Sequence, residues 1–181
     1  MGRTHALAGV AAIWVLPTSM TTETLASLTI FAALGALLPD LDANESQIKR
    51  LRFAGIMPFT PLALALNRTL GHRGLLHSLL GWGLATLLFS PLLFLPLAGM
   101  GTMGLPLALS IGYASHLATD ACTKSGIPFF YPRRKRYHLL PRPLRITTGS
   151  MAEDIVFAAL ATLLLTLLVR QLLQNPARLF I

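Results

Sequence analysis

Charge is scarce in this chain, and negative charge scarcest: seven of 181 residues are Asp or Glu, and all charged residues together make 12%. An ordinary soluble domain carries roughly 25%. That shortage excludes a water-facing surface of normal composition. With 54% hydrophobic residues and a mean hydropathy of +0.63, the apolar surface exceeds what one small soluble core can hide. A single integral membrane domain over residues 1–181, with no soluble appendage, is expected. Cysteine is nearly absent too. Cys122 stands alone, which excludes an internal disulfide and any Cys-x-x-Cys metal pair, and leaves the redox compartment unread. No repeat of period ~20 to 50 and no low-complexity segment is present. The apolar stretch from Ala6 to Pro17 leads into polar residues without a small-x-small cleavage site. It is expected to stay as a mature helix, which retains His5.

What the chain has in quantity is apolar runs. Crossing a bilayer takes about 20 residues, with tilt and local thinning relaxing the figure. Five segments approach it: Ala6 to Thr22, Leu25 to Leu38, Gly74 to Met100, Gly101 to Thr119 and Ile155 to Val169. The expected fold is therefore all-α, a polytopic bundle of about five transmembrane helices. A sixth apolar stretch, Phe53 to Leu66, is shorter and carries Pro58 and Pro61. It is expected to be re-entrant or interfacial, because each proline removes a helix hydrogen bond. With the N-terminus in the cytoplasm, 13 of the 15 Lys and Arg fall on the cytoplasmic side, and only Arg170 and Arg178 on the other. That bias follows the positive-inside rule. It puts the C-terminus on the opposite side, and it accounts for the net charge of +8 without a nucleic-acid partner. The loop from Ala121 to Asp154 contains the run Arg133-Arg134-Lys135-Arg136 beside Phe129, Phe130 and Tyr131. It is expected to lie on the lipid headgroups.

The orientation uses Lys and Arg alone, so the positions of His and acidic residues are independent of it. They gather at the cytoplasmic ends of the spans. His5 begins the first. Asp40 and Asp42 end the second, His72 and His77 flank the entry to the third, His116 and Asp120 end the fourth, and Glu153 and Asp154 begin the fifth. Four of the five histidines and six of the seven acidic residues share that face, and the other keeps only Glu23. His138, within the basic loop, is expected to meet headgroups or solvent. Ionisable groups in a span are costly and mark a pathway or a site. His116 and Asp120 are four apart, so a helix projects both from one face. Such a pair either chelates one ion or lets the carboxylate orient the imidazole. Blander roles exist for several of these residues: Asp40 and Asp42 as turn formers, Glu153 and Asp154 as favourable charges at a helix N-terminus. Their joint segregation favours a shared metal site.

Five stretches also resemble a known family: Thr4-His5, Leu38-Pro39-Asp40-Leu41-Asp42, Gly71-His72-Arg73-Gly74-Leu75-Leu76-His77-Ser78, Ser115-His116-Leu117-Ala118-Thr119-Asp120 and Thr148-Gly149-Ser150-Met151-Ala152-Glu153. In this order they resemble the motifs of the YdjM-like, LexA-regulated, membrane-bound metal-dependent hydrolases. The resemblance covers nearly the whole chain. It implies a bacterial inner-membrane protein with hydrolase activity, and metal binding by His5, Asp40, His72, His77, His116 and Asp120, with Asp42 and Glu153 as further candidates. It also implies a distant kinship with zinc-dependent phospholipase C enzymes, which favours phosphoester substrates.

Imidazoles and carboxylates without thiolate suit Zn, Mn or Fe(II). Six candidates exceed what one four-coordinate zinc needs, so a pair of ions roughly 3.5 to 4 Å apart is also compatible. In that scheme Asp40 or Asp120 bridges the ions, and Asp42 or Glu153 takes the proton from water. Arg73 either clamps a phosphate or merely anchors the loop. An anionic lipid or amphiphilic phosphoester is the expected substrate. Two other classes stay open: a proton- or ion-coupled transporter, whose ionisable residues should line a path to both faces, and a non-catalytic membrane protein with a structural metal whose coordination is filled by protein.

Overall fold

The computed structural model describes residues 1–16, 20, 22–42, 74–91 and 104–174, leaving aside the side chains of residues 22, 42 and 174. Among these residues the architecture is helical: α1 (Gly2–Trp14), α2 (Thr22–Leu37), α3 (Leu79–Phe89), α4 (Gly104–Ala121) and α5 (Met151–Gln174). Short 3-10 turns occupy Leu38–Asp42, Leu75–His77 and Arg142–Leu144. The loop between α4 and α5 adds two isolated bridges, Thr123 with Ile146 and Ile127 with Tyr137. The segment 53–66, together with His72, Arg73 and the side chain of Asp42, lies outside the described residues.

Two stretches, Glu23–Leu41 with mean hydropathy 1.6 and Met151–Leu173 with 2.1, are long and apolar enough to cross a membrane. Leu79–Phe89 is apolar but shorter. The length criterion therefore covers two of the five expected spans among the described residues. Helix ends also depart from the expected ones. α1 begins at Gly2 rather than Ala6, which moves His5 from the approach to a helix into its second turn. α5 exceeds Ile155–Val169 at both ends. Glu153 and Asp154 belong to its first turn, where negative charge meets unpaired N–H groups and the positive end of the helix dipole.

The centre of the molecule is the trio α1, α2 and α4, held close by residues with little or no side chain. A Cβ on Gly35 would lie 2.0 Å from the Leu109 carbonyl oxygen, and one on Gly112 2.0 Å from that of Ala32. A Cβ on Gly9 would come within 2.8 Å of both the Ala32 oxygen and the Ala36 Cβ. Small residues at such crossings let backbones approach without lipid between them. Two apolar clusters fill the trio. Ile13, Leu25, Leu28, Ala32, Leu105 and Ala108 pack at the end remote from the histidines, and Tyr113, Leu117, Ala121 and Ile127 near them. α3 rests on α4, where the Trp82 indole donates to the carbonyl and hydroxyl of Ser110, each at 3.0 Å. α5 packs on α1 and is otherwise exposed along its apolar length, from Ile155 to Leu173.

Proline and serine shape the turns that carry the polar residues. Pro39 has no N–H to continue the α2 ladder, and the chain tightens there into the 3-10 turn that holds Asp40. Ser78 caps α3, accepting from the Gly81 N–H at 3.1 Å and donating to the Leu75 carbonyl at 2.6 Å. This closes the turn carrying His77 and leaves that residue fully buried.

Candidate metal centre

Five side chains from four segments meet at one end of the trio: His5 from α1, Asp40 from the turn after α2, His77 from the turn before α3, and His116 with Asp120 from α4. His5, His77, His116 and Asp120 are at most 1% exposed. Only Asp40 reaches the surface, with 20% of its side chain accessible. The donor atoms face one another. His5 Nε2 lies 3.3 Å from Asp120 Oδ1, and His77 and His116 Nε2 lie 3.6 and 3.8 Å from Asp120 Oδ2. Asp40 Oδ1 is 3.6 Å from His77 Nε2 and 3.9 Å from that of His116. The His77 and His116 Nε2 atoms are 3.3 Å apart.

Ring orientation is set from outside the cluster. The His116 Nδ1–H donates to the Ala36 carbonyl at 2.7 Å, in the last turn of α2 where carbonyls lack helical partners. The Thr119 hydroxyl spends its proton on the carbonyl of Ser115 or His116. Its oxygen therefore accepts from the His5 Nδ1–H at 2.7 Å. Both rings are left with a basic Nε2 aimed into the cluster, the usual arrangement of a metal-binding imidazole and its outer partner. The His5 and His116 rings are tilted by 32° to one another, with centroids 3.9 Å apart.

This donor set fits a divalent cation. Lone pairs and two carboxylates crowded in a buried space repel unless positive charge lies among them. A tetrahedron with arms of about 2.0 to 2.1 Å has edges of roughly 3.3 Å, close to the 3.3–3.9 Å separations seen here. The donors form two overlapping triads, His5–His116–Asp120 and Asp40–His77–His116. Asp120 turns one oxygen towards His5 and the other towards His77 and His116, the disposition of a bridging carboxylate. Asp40 presents a single oxygen to its two imidazoles.

Of the metal candidates read from the sequence, His5, Asp40, His77, His116 and Asp120 come together, while His72 lies outside the described residues. Arg73 and the Asp42 side chain, two of the three catalytic candidates, lie outside them as well. Glu153, the third, is buried elsewhere and takes a different role. Its carboxylate accepts from Thr4 Oγ1 at 2.9 Å and the Gly149 N–H at 2.7 Å, and pairs with the Met1 ammonium at 3.1 Å. It straps the start of α5 to the start of α1. Arg3 reinforces the strap by pairing with Asp154 and lying over the Phe157 ring at 4.9 Å. The spacing Ser150-x-x-Glu153 is that of a capping box, a signal that Glu153 serves a helix start. Thr119 was not singled out from the sequence; its position one residue before Asp120 within the His116 motif was the available clue. His138 donates to the Lys124 carbonyl at 3.2 Å and braces the basic loop.

The YdjM inner membrane protein family model matches residues 1–177, which include all five donors. The chain belongs to the YdjM family. This is a family of inner membrane proteins. Among relatives, YvsG of Bacillus subtilis (strain 168) is 34% identical over 128 residues, covering 71% of this chain and 69% of that protein. The inner membrane protein YdjM of Escherichia coli (strain K12) is 34% identical over 131 residues, covering 71% of this chain and 60% of that protein; the Shigella flexneri YdjM gives the same figures. The match thus spans about three fifths of the length of both YdjM proteins. No solved structure matches the chain significantly.

Proposed function

We propose that this YdjM-family protein is a metal-dependent hydrolase embedded in the bacterial inner membrane, with its site at the cytoplasmic face and a lipid or amphiphilic phosphoester as substrate. One observation carries this reading. In a chain with five histidines and seven acidic residues, three of the former and two of the latter converge from four segments into one buried cluster. Burying so many ionisable groups at a membrane is costly without a function.

The donors suit Zn or Mn, which His5, Asp40, His77, His116 and Asp120 would hold. A metal held there would lower the pKa of a water molecule and polarise a phosphoryl oxygen. The chain's own residues divide the remaining work. His5 and His116 are held in register by Thr119 and the Ala36 carbonyl. The buried walls around His77 and Asp120 exclude bulk water. Asp40, the one donor with surface access, faces an arriving substrate. Of the two carboxylates expected to take a proton from water, Glu153 is engaged by Thr4, the Gly149 N–H and the Met1 ammonium, which leaves the role to Asp42.

All five helices among the described residues present one end to this region: α1, α3 and α5 their beginnings, α2 and α4 their ends. Such alternation supports five crossings with a cytoplasmic N-terminus and the C-terminus on the opposite side, the short α1 and α3 crossing where the bilayer thins. The loop at this end exposes Arg133, Arg134, Lys135 and Arg136 beside Phe130, Leu139 and Leu144, a composition that holds anionic headgroups.

Elemental analysis of detergent-purified protein tests the reading. One or two equivalents of transition metal in wild type, lost in both His77→Ala and His116→Ala at unchanged helicity, is the expected result. No metal in wild type after reconstitution with Zn or Mn overturns it.

A further inference from the structure

Beside the candidate centre runs a half-open groove of about 270 Å³ whose walls are almost wholly apolar. The turns that supply metal donors also supply its walls. Leu41 follows Asp40, Leu76 precedes His77, and Tyr113 sits one helical turn before His116. Adjacent Cα atoms are about 3.8 Å apart, so the groove begins within a residue of the donors. The Tyr113 hydroxyl donates to the Leu76 carbonyl and locks that end of the wall.

From there the groove follows α3. Gly81, Leu84, Ala85 and Leu88, at positions i, i+3, i+4 and i+7, share one face of the helix. Leu84 and Leu88 form the lip, 49% and 72% exposed. The run from Gly81 to Phe89 covers about 12 Å at 1.5 Å per residue. One leaflet of the hydrocarbon core is about 15 Å deep. The groove therefore has the length, direction and polarity of a lipid chain standing in one leaflet, with its headgroup end at the His/Asp cluster.

We propose that this groove is the acyl-chain subsite of the enzyme: it takes one acyl chain of a phospholipid and presents the phosphoester to the metal centre. The subsite rests on the hydrolase reading for the word substrate, and on the groove alone for the lipid. Selection would act on the acyl chain beside α3 as well as on the headgroup.

The test uses the full chain in phosphatidylcholine nanodiscs with a phosphatidylglycerol probe carrying a photoactivatable diazirine on one acyl chain. Metal content is measured on the same samples. Peptides spanning Leu84 to Leu88 should be labelled several-fold more than the likewise apolar and exposed stretch Leu163 to Val169 of α5. Unlabelled phosphatidylglycerol should compete for this labelling. Ala85→Phe, which fills the groove, and Leu88→Trp, which crowds its exposed lip without entering the core, should each remove the excess while leaving metal content and α5 labelling unchanged. Equal labelling of α3 and α5, insensitive to both variants, describes ordinary surrounding lipid and overturns the subsite even where metal is present. Groove-selective labelling of a protein that holds no metal overturns the hydrolase instead.

Discussion

Thr119 does two things with one oxygen: it donates to a carbonyl of its own helix and accepts from the His5 ring. The second bond fixes which nitrogen of His5 faces the cluster. Outer partners of this kind are worth about 10- to 100-fold in metal affinity. Thr119→Val, which keeps the shape and removes the hydroxyl, should therefore weaken Zn binding by about that factor, read by competition with a chelator of known affinity. Thr119→Ser should restore it, and helicity should be unchanged in both. Equal affinity in Thr119→Val would mean that the His5 orientation is set by packing alone. Glu153 illustrates the converse, a carboxylate whose place in a motif suggested chemistry and whose bonds to Thr4 and Gly149 make it a strap between helices.

Between elements, the decisive contact is the crossing of α2 and α4. His116 reaches the Ala36 carbonyl only because Gly112, one turn earlier, lets α4 lie directly on α2. Gly112→Ala would place a methyl against the Ala32 carbonyl, with backbone on both sides and no flexible side chain to yield. A loss of about 1 to 3 kcal/mol in stability is expected from such overpacking, seen as a lower unfolding temperature, together with reduced metal content as the two helices part. Gly83 is the control. A Cβ there meets nothing within 4 Å, so Gly83→Ala should leave metal content intact and the unfolding temperature equal or slightly raised, alanine being the better helix former by up to about 1 kcal/mol. Matching losses in both variants would show that the close crossing has no special part in building the centre.

For the whole molecule the question is orientation. The cluster, the strap at the start of α5 and the basic loop share one end of the bundle, and the proposed topology puts that end in the cytoplasm. In a Cys122→Ser background, Lys135→Cys in the basic loop should resist a membrane-impermeant maleimide in intact cells and react in inverted vesicles. Leu173→Cys, near the far end of α5, should show the opposite pattern. Reversed labelling of both would place the centre on the outer side. Cys122 itself is a poor reporter, since burial pushes its thiol up and leaves less of the reactive thiolate at neutral pH.

Membrane character, a helical architecture and the candidate donors were all legible in the linear order of residues. Long apolar runs have few stable solutions in lipid, and His5, Asp40, His77, His116 and Asp120 stand out where charge is rare. Their gathering at one end was legible too, because the orientation expected from Lys and Arg alone already put them on one side. Helix limits were less so. α1 and α5 begin earlier than their apolar runs because a first turn tolerates, and here uses, the polar residues Arg3, Glu153 and Asp154. Three things were decided only by the tertiary structure: which carboxylates face the imidazoles, which nitrogen each ring presents, and how an apolar groove comes to start at the donors. Each depends on distances between residues up to 115 apart in sequence, as in the His5–Asp120 contact of 3.3 Å, and such distances are set by how closely glycines let the helices pack. Composition and periodicity constrain what a residue is; the packing of α1 and α4 on α2 determines what it meets.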